Sequence, residues 1–213
     1  MPNPTLIGDP QVRLVPLQDD GDPLVELTWI DGPAGTAARH VRAGLADRLV
    51  AAQRALPDGL RLSLSEGYRP VASQAEIIAR YTSSLRARRP DLAPWEIVEL
   101  STRYVAPLDV APHVAGAAVD LTLVDGRGRE VDMGCPLDAT PEESGGTCYF
   151  AAPGIAPAAR AYRDLLARAL TQAGLVNYPT EWWHWSYGDR YWALVTGAPH
   201  ALYGPVERSV AAA

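Results

Sequence analysis

Alternation and helical spacing divide the chain into elements. Leu24 to Ile30 (LVELTWI) alternates apolar and polar positions and predicts a strand, followed by a turn at Asp31-Gly32-Pro33. From Thr36 to about Leu56 the period lengthens. Ala38, Val41, Leu45, Leu49, Ala52 and Leu56 recur every three or four residues, which predicts a helix ended by Pro57-Asp58-Gly59. Arg61 to Glu66 (RLSLSE) alternates again and runs into the breaker Gly67-Tyr68-Arg69-Pro70. Helices fit 72–86 and 92–104, the second with Asp91 as its candidate N-cap.

Ala117 to Val124 (AAVDLTLV) predicts an apolar strand closed by a turn at Asp125-Gly126-Arg127-Gly128, and Glu130 to Met133 can pair back across it. Residues 134–155 are rich in Gly, Pro and Ser and read as a long loop, a type of segment that is often functional. Ala156 to Ala173 is helical in spacing, with Gly174 as the C′ residue. Val176 to Tyr187 and Tyr191 to Val195 are rich in Trp and Tyr and read as strands. Residues 1–23 carry Pro, Gly and Asp without period and read as an irregular arm. No repeat or linker splits the 213 residues, a length that suits one domain. Strands and helices do not alternate regularly, so the expected class is α+β: a single domain with a central antiparallel sheet and helices packed on it.

Charge narrows the partners. A formal net charge of −6 disfavours nucleic acid or an anionic membrane as the main partner. Arg80, Arg86, Arg88 and Arg89 lie close together and read as a solvated helix end. All 19 basic residues are Arg, which removes Schiff-base lysine chemistry. No apolar run approaches the ~20 residues of a membrane helix. The N-terminus lacks the pattern of a signal peptide, so a cytoplasmic protein is expected. Cys135 and Cys148 could close a short loop, although a reducing cytosol would keep them as thiols.

Two of the four histidines sit among other reactive side chains. His113 precedes Gly116 and Asp120 in APHVAGAAVD, and His184 follows Glu181 in EWWHW. A hydrolytic zinc site takes three protein ligands and a water, a carboxylate to remove the water's proton, and a cation or donor for the oxyanion. His113, Asp120 and His184 can fill the first role, Glu181 the second and Arg69 the third. An ionised Asp120 inside an apolar strand is costly unless paired, so a cation accounts for it; a strand-edge Asp facing water is the alternative. Glu181 and His184 would point to opposite faces of a regular strand, so their cooperation requires a local irregularity. His40 and His200 read as surface or packed histidines, and Trp182, Trp183, Trp185 and Trp192 as core and pocket wall.

GYRP at 67–70, HxxGxAxD at 113–120, MGxxxD at 133–138 and EWWH at 181–184 together resemble the VanX-type D-alanyl-D-alanine dipeptidases. The likeness runs from about Leu62 to Tyr203. It implies a cytoplasmic zinc peptidase with one zinc per chain, acting on a small dipeptide. It also implies His113, Asp120 and His184 as ligands, Glu181 as general base and Arg69 as the group that stabilises the tetrahedral intermediate. Asp138 then corresponds to the carboxylate that binds the substrate's amino group. Ala111 stands where the family usually has a Ser that helps hold the substrate carboxylate. Val114-Ala115 replaces a common Ser-Arg, Cys135 replaces a Thr or Ser, and the family's YATxxNF segment is missing. The likeness therefore implies intact hydrolytic groups beside altered substrate-recognition groups. The same amide-hydrolase site acting on a different substrate, or a zinc-bearing binding domain without turnover, are the other readings.

Overall fold

The computed structural model describes residues 5–102 and 104–206. Residues 1–4 of the expected arm and Arg103 of the expected second helix lie outside the described residues. The elements in chain order begin with α1 (Pro10–Leu14), β1 (Leu24–Glu26), β2 (His40–Arg42), α2 (Ala43–Ala55) and β3 (Arg61–Glu66). Next come α3 (Val71–Arg88), α4 (Pro94–Ser101), β4 (Ala118–Val124) and α5 (Pro141–Ser144). The chain continues through α6 (Pro157–Gln172), β5 (Val176–Asn177), β6 (His184–Ser186) and α7 (Arg190–Thr196). The main sheet is antiparallel in the order β3-β4-β6-β5, and β1 and β2 form a separate ribbon. This is the expected α+β class.

β4 is buried along its whole length. Its Val119, Leu121 and Leu123 join Leu45 and Leu49 of α2 and Leu166 and Leu170 of α6 in one core cluster. Full burial of each such side chain stabilises the fold by roughly 1.5–3 kcal/mol, so this cluster anchors the sheet. Trp182, Trp183 and Trp185 belong to the same core, as expected.

Several elements differ from the sequence expectation. The strand expected over Leu24–Ile30 stops at Glu26, and Thr28 and Trp29 lie in a turn. The helix expected from Thr36 begins at Ala43, because His40–Arg42 pair with β1 instead. Asp91 does not cap α4; it pairs with Arg89, while Glu96 accepts from the Ala93 N–H. Glu130–Met133 forms no strand beyond a single bridge between Val124 and Glu130. The strand expected over Val176–Tyr187 is broken between β5 and β6, and Tyr191–Val195 is helical. There Asp189 caps α7 by accepting from the Trp192 N–H, and Gly197 ends it in the left-handed region at φ 73°. The expected arm contains α1 and bridges Leu17 to Ala201. Cys135 and Cys148 are both buried free thiols, so the short loop is not cross-linked.

The segment 134–155 holds the short helix α5, with Thr140 as its cap. It is pinned from α6 by Arg163, which is completely buried. Arg163 donates to the carbonyls of Met133, Tyr149 and Thr147 at 2.8 Å each, and its guanidinium lies 5.5 Å from the Trp182 ring centroid. No helix among the described residues is long and apolar enough to cross a membrane.

Candidate active site

Strand register assembles the site. Asp120 of β4 pairs with Glu66 of β3 on one side and with His184 of β6 on the other. Directly paired residues point to the same face, so these three side chains form a row across the sheet. His113 arrives from a single 3₁₀ turn, His113–Ala115, which Gly116 closes at φ 65°. The positive φ favours glycine at this position, where a Cβ would also press on the end of the Leu24 side chain. The Arg69 N–H donates to the His113 carbonyl at 3.1 Å, which joins the GYRP turn to this one.

The three side chains converge. His184 Nδ1 lies 3.1 Å from His113 Nε2 and 3.1 Å from Asp120 Oδ1, and His113 Nε2 lies 3.4 Å from Asp120 Oδ2. All three residues are buried. His113 Nδ1 sits 2.7 Å from the Gly67 carbonyl. A carbonyl only accepts, so Nδ1 carries the proton and Nε2 turns its lone pair inward. Asp120 Oδ1 and His184 Nε2 have no hydrogen-bond partner among the described residues. Burial pushes the Asp120 carboxyl up, but the neighbouring imidazoles overcome this and hold it far below the usual carboxylate range. The cluster is thus a buried anion facing two imidazole nitrogens, an arrangement that can hold a cation.

Glu181 reaches the same point through a turn. Its N–H donates to the Tyr178 carbonyl at 3.0 Å, and the His184 N–H donates back to the Glu181 carbonyl at 3.3 Å. Asn177 Nδ2 locks the turn by donating to the carbonyls of Glu181 and His184, each at 2.9 Å. The break in strand alternation brings Glu181 Oε2 to 3.7 Å from His184 Nδ1, which is the irregularity the spacing required. Burial, then the negative charges of Asp120 and Asp138, push the Glu181 carboxyl well above its ordinary range.

Arg69 is held at both ends of its guanidinium. Nε donates to Glu66 Oε1 at 2.8 Å, a second nitrogen pairs with Glu66 Oε2, and Nη1 donates to Gln74 Oε1 at 2.6 Å. Gln74 is itself fixed by donating to the Ala106 carbonyl at 2.8 Å. The sequence pattern marks Glu66 only as a strand end, and neither it nor Gln74 as a site residue. The acid three residues before the Arg in SEGYRP was the available signal for Glu66.

Asp138 lines the same cleft, as does Ala111. Among the described residues Asp138 is the one non-glycine in the left-handed region, at φ 62°, and its carbonyl accepts from the Tyr104 hydroxyl at 2.6 Å. Strain of this kind persists where surrounding contacts impose it, and it clusters at functional sites. Asp138 is exposed to the cleft, yet the walls strip part of its hydration. With the charges of Asp120 and Glu66 this raises its carboxyl to about 6. Ala111 offers the cleft only a methyl group, and Val114 and Ala115 are buried. The cleft has a volume of about 420 Å³, within the usual range for small-molecule sites. Arg80 also lines it, rather than belonging wholly to a solvated helix end.

The model of the D-Ala-D-Ala dipeptidase family, Peptidase_M15, matches residues 39–198 and so takes in every residue named for this site. The chain belongs to this family. As a member of the D-Ala-D-Ala dipeptidase family it is a hydrolase and a metallopeptidase. It is 28% identical to a D-alanyl-D-alanine dipeptidase of Synechocystis sp., over 91% of this chain and 95% of that protein. It is 32% identical to a D-alanyl-D-alanine dipeptidase of Escherichia coli K12, over 59% of this chain and 54% of that protein. A solved vancomycin-resistance D,D-pentapeptidase in complex with Zn(II) superposes with a TM-score of 0.41 at 17% identity, covering 90% of this chain and 96% of the other.

Proposed function

We propose that the protein is a zinc-dependent dipeptidase that hydrolyses D-Ala-D-Ala or a related small dipeptide. One zinc would be held by His113, Asp120 and His184. The observation that carries this reading is the convergence of two imidazole nitrogens on a buried carboxylate with an oxygen left unsatisfied. The donor set suits zinc, being nitrogen and carboxylate with the His113 tautomer already fixed by Gly67. When bound, zinc supplies Lewis acidity and brings the pKa of a water near neutrality.

The remaining steps belong to the chain's own residues. Glu181 takes a proton from the attacking water as its oxygen bonds to the scissile carbon. Glu181 then returns that proton to the departing nitrogen as the C–N bond breaks, releasing two amino acids. Burial and the nearby carboxylates raise the Glu181 carboxyl above its ordinary range, a direction that favours proton uptake. Arg69 faces the negative charge that develops on the carbonyl oxygen. Glu66 and Gln74 hold Arg69 in place beforehand, so little reorganisation accompanies the reaction. Asp138 receives the substrate ammonium, and its position on the cleft wall is consistent with that role.

One observation favours a second reading, the same hydrolytic site acting on a different small amide. The methyl of Ala111 cannot donate to a substrate carboxylate, and losing one donor shifts selectivity strongly. The buried thiols Cys135 and Cys148 are consistent with a reducing, cytoplasmic location. The test is to incubate zinc-loaded protein with D,D-, L,D- and L,L-dipeptides and measure released amino acids. Release from D-Ala-D-Ala above all others supports the first reading. Release from another amide supports the second, and no release from any, with zinc bound, overturns both.

A further inference from the structure

One wall of the cleft is a single stripe of α3. Gln74, Ile77, Tyr81 and Ser84 recur at helical spacing along it, with Arg80 beside them at the outer edge. From Gln74 to Ser84 the stripe runs about 15 Å at ~1.5 Å per residue. An extended dipeptide spans only about 7 Å. Gln74 touches Arg69, so the stripe starts beside the reacting centre and continues past the reach of two alanines.

The two cations of the cleft are not equivalent. Arg69 is already paired with Glu66 and held by Gln74. Arg80 is exposed and forms no ion pair among the described residues. Of the other arginines in the cluster, Arg88 donates to Ser84, Arg89 pairs with Asp91, and Arg86 does not line the cleft. Arg80 is therefore a free guanidinium at the mouth of a cleft whose inner end carries the hydrolytic groups.

We propose that Arg80 is a specificity-determining residue that receives a carboxylate from the substrate. The preferred substrate is then a short peptide larger than D-Ala-D-Ala with an acidic side chain, packed along Ile77 and Tyr81. This rests on the peptidase reading above for what happens to the peptide after it binds. A guanidinium–carboxylate pair is directional and stronger than a neutral hydrogen bond, so charge alone separates an acidic side chain from its amide.

The test uses zinc-loaded Glu181→Gln protein, which leaves α3 intact, and calorimetric binding of two matched pairs: D-Ala-D-Glu with D-Ala-D-Gln, and D-Glu-D-Ala with D-Gln-D-Ala. In at least one pair the acidic member should bind about 2–5-fold tighter, the range for an ion pair open to solvent. Arg80→Ala added to this protein should erase that preference, while Arg80→Lys should keep part of it. Equal binding within both pairs, absence of binding by all four, or a preference unchanged in Arg80→Ala overturns the proposal. Turnover of the same peptides by the wild-type protein is scored separately. Its failure would count against the peptidase reading and would leave the Arg80 result standing.

Discussion

Asp120 and His184 face each other across the β4–β6 ladder, and their side chains approach to 3.1 Å. The site is therefore only as well formed as the register of two strands far apart in the chain. Binding of a metal at this point should stabilise the folded state. Zinc at a hundredfold excess over its dissociation constant should add about 2.7 kcal/mol. Thermal melts with and without chelator check this. Asp120→Ala protein should melt at the same temperature in both, and about one zinc per chain should be found in the wild type alone.

Glu181 touches the cluster at its edge and is largely buried, with a small part of its side chain open to the cleft. Glu181→Gln preserves shape and removes the proton acceptor. Zinc content should stay near one per chain, while kcat falls by roughly 10²–10⁴. Metal analysis beside a turnover assay separates these effects. Full turnover by the variant would remove Glu181 from the role of base.

Arg69 and Glu66 form a second testable pair. Arg69→Ala should lower kcat by about 10²–10³ with zinc content unchanged. Glu66→Gln leaves the cation present but less firmly oriented, so its loss in kcat should be smaller. If Glu66→Gln were as damaging as Arg69→Ala, Glu66 would be doing more than hold the guanidinium.

Asp189 gives a pH prediction away from the cleft. Burial pushes its carboxyl up to about 6, against the pull of hydrogen bonds that include the Trp192 N–H. The folded protein thus binds this proton more tightly than the unfolded chain, whose Asp titrates near 4. Stability from this group is fully present below about pH 4 and falls as the pH rises to about 6. Asparagine caps helices as well as aspartate does. Asp189→Asn should therefore stabilise the protein by about 1–3 kcal/mol at pH 7.5 and by much less near pH 4. Denaturant melts at the two pH values give the comparison.

The elements with long, clean periodicity were legible in the sequence: β3, β4, α3 and α6 lie close to where alternation and helical spacing put them. The shorter ones were not. Tyr191–Val195 has the composition of a strand, but Asp189 and Gly197 frame it as a capped helix, and capping outweighed aromatic content. His40–Arg42 has helical neighbours yet pairs with β1, a long-range contact that local spacing cannot reveal. At the site, His113, Asp120, His184 and Glu181 were readable because their residue types and positions are unusual. Glu66 and Gln74 were not, because their importance lies in touching Arg69, and that contact exists only once β3 and α3 are placed. Arg80 read as one of four clustered arginines until α3 turned it toward the cleft.

Arg163 holds the segment 134–155 through main-chain carbonyls and the face of one indole. Its hydrogen bonds thus ask nothing of that segment's side chains. Side chains that make no contact within the segment can be exchanged while its path past the cleft stays the same, whereas Asp138, at φ 62°, and Thr140, which caps α5, are tied to that path. The fold in this way separates the part of the wall that must keep its shape from the part free to acquire a new preference, and a change of substrate need not disturb the strands beneath it.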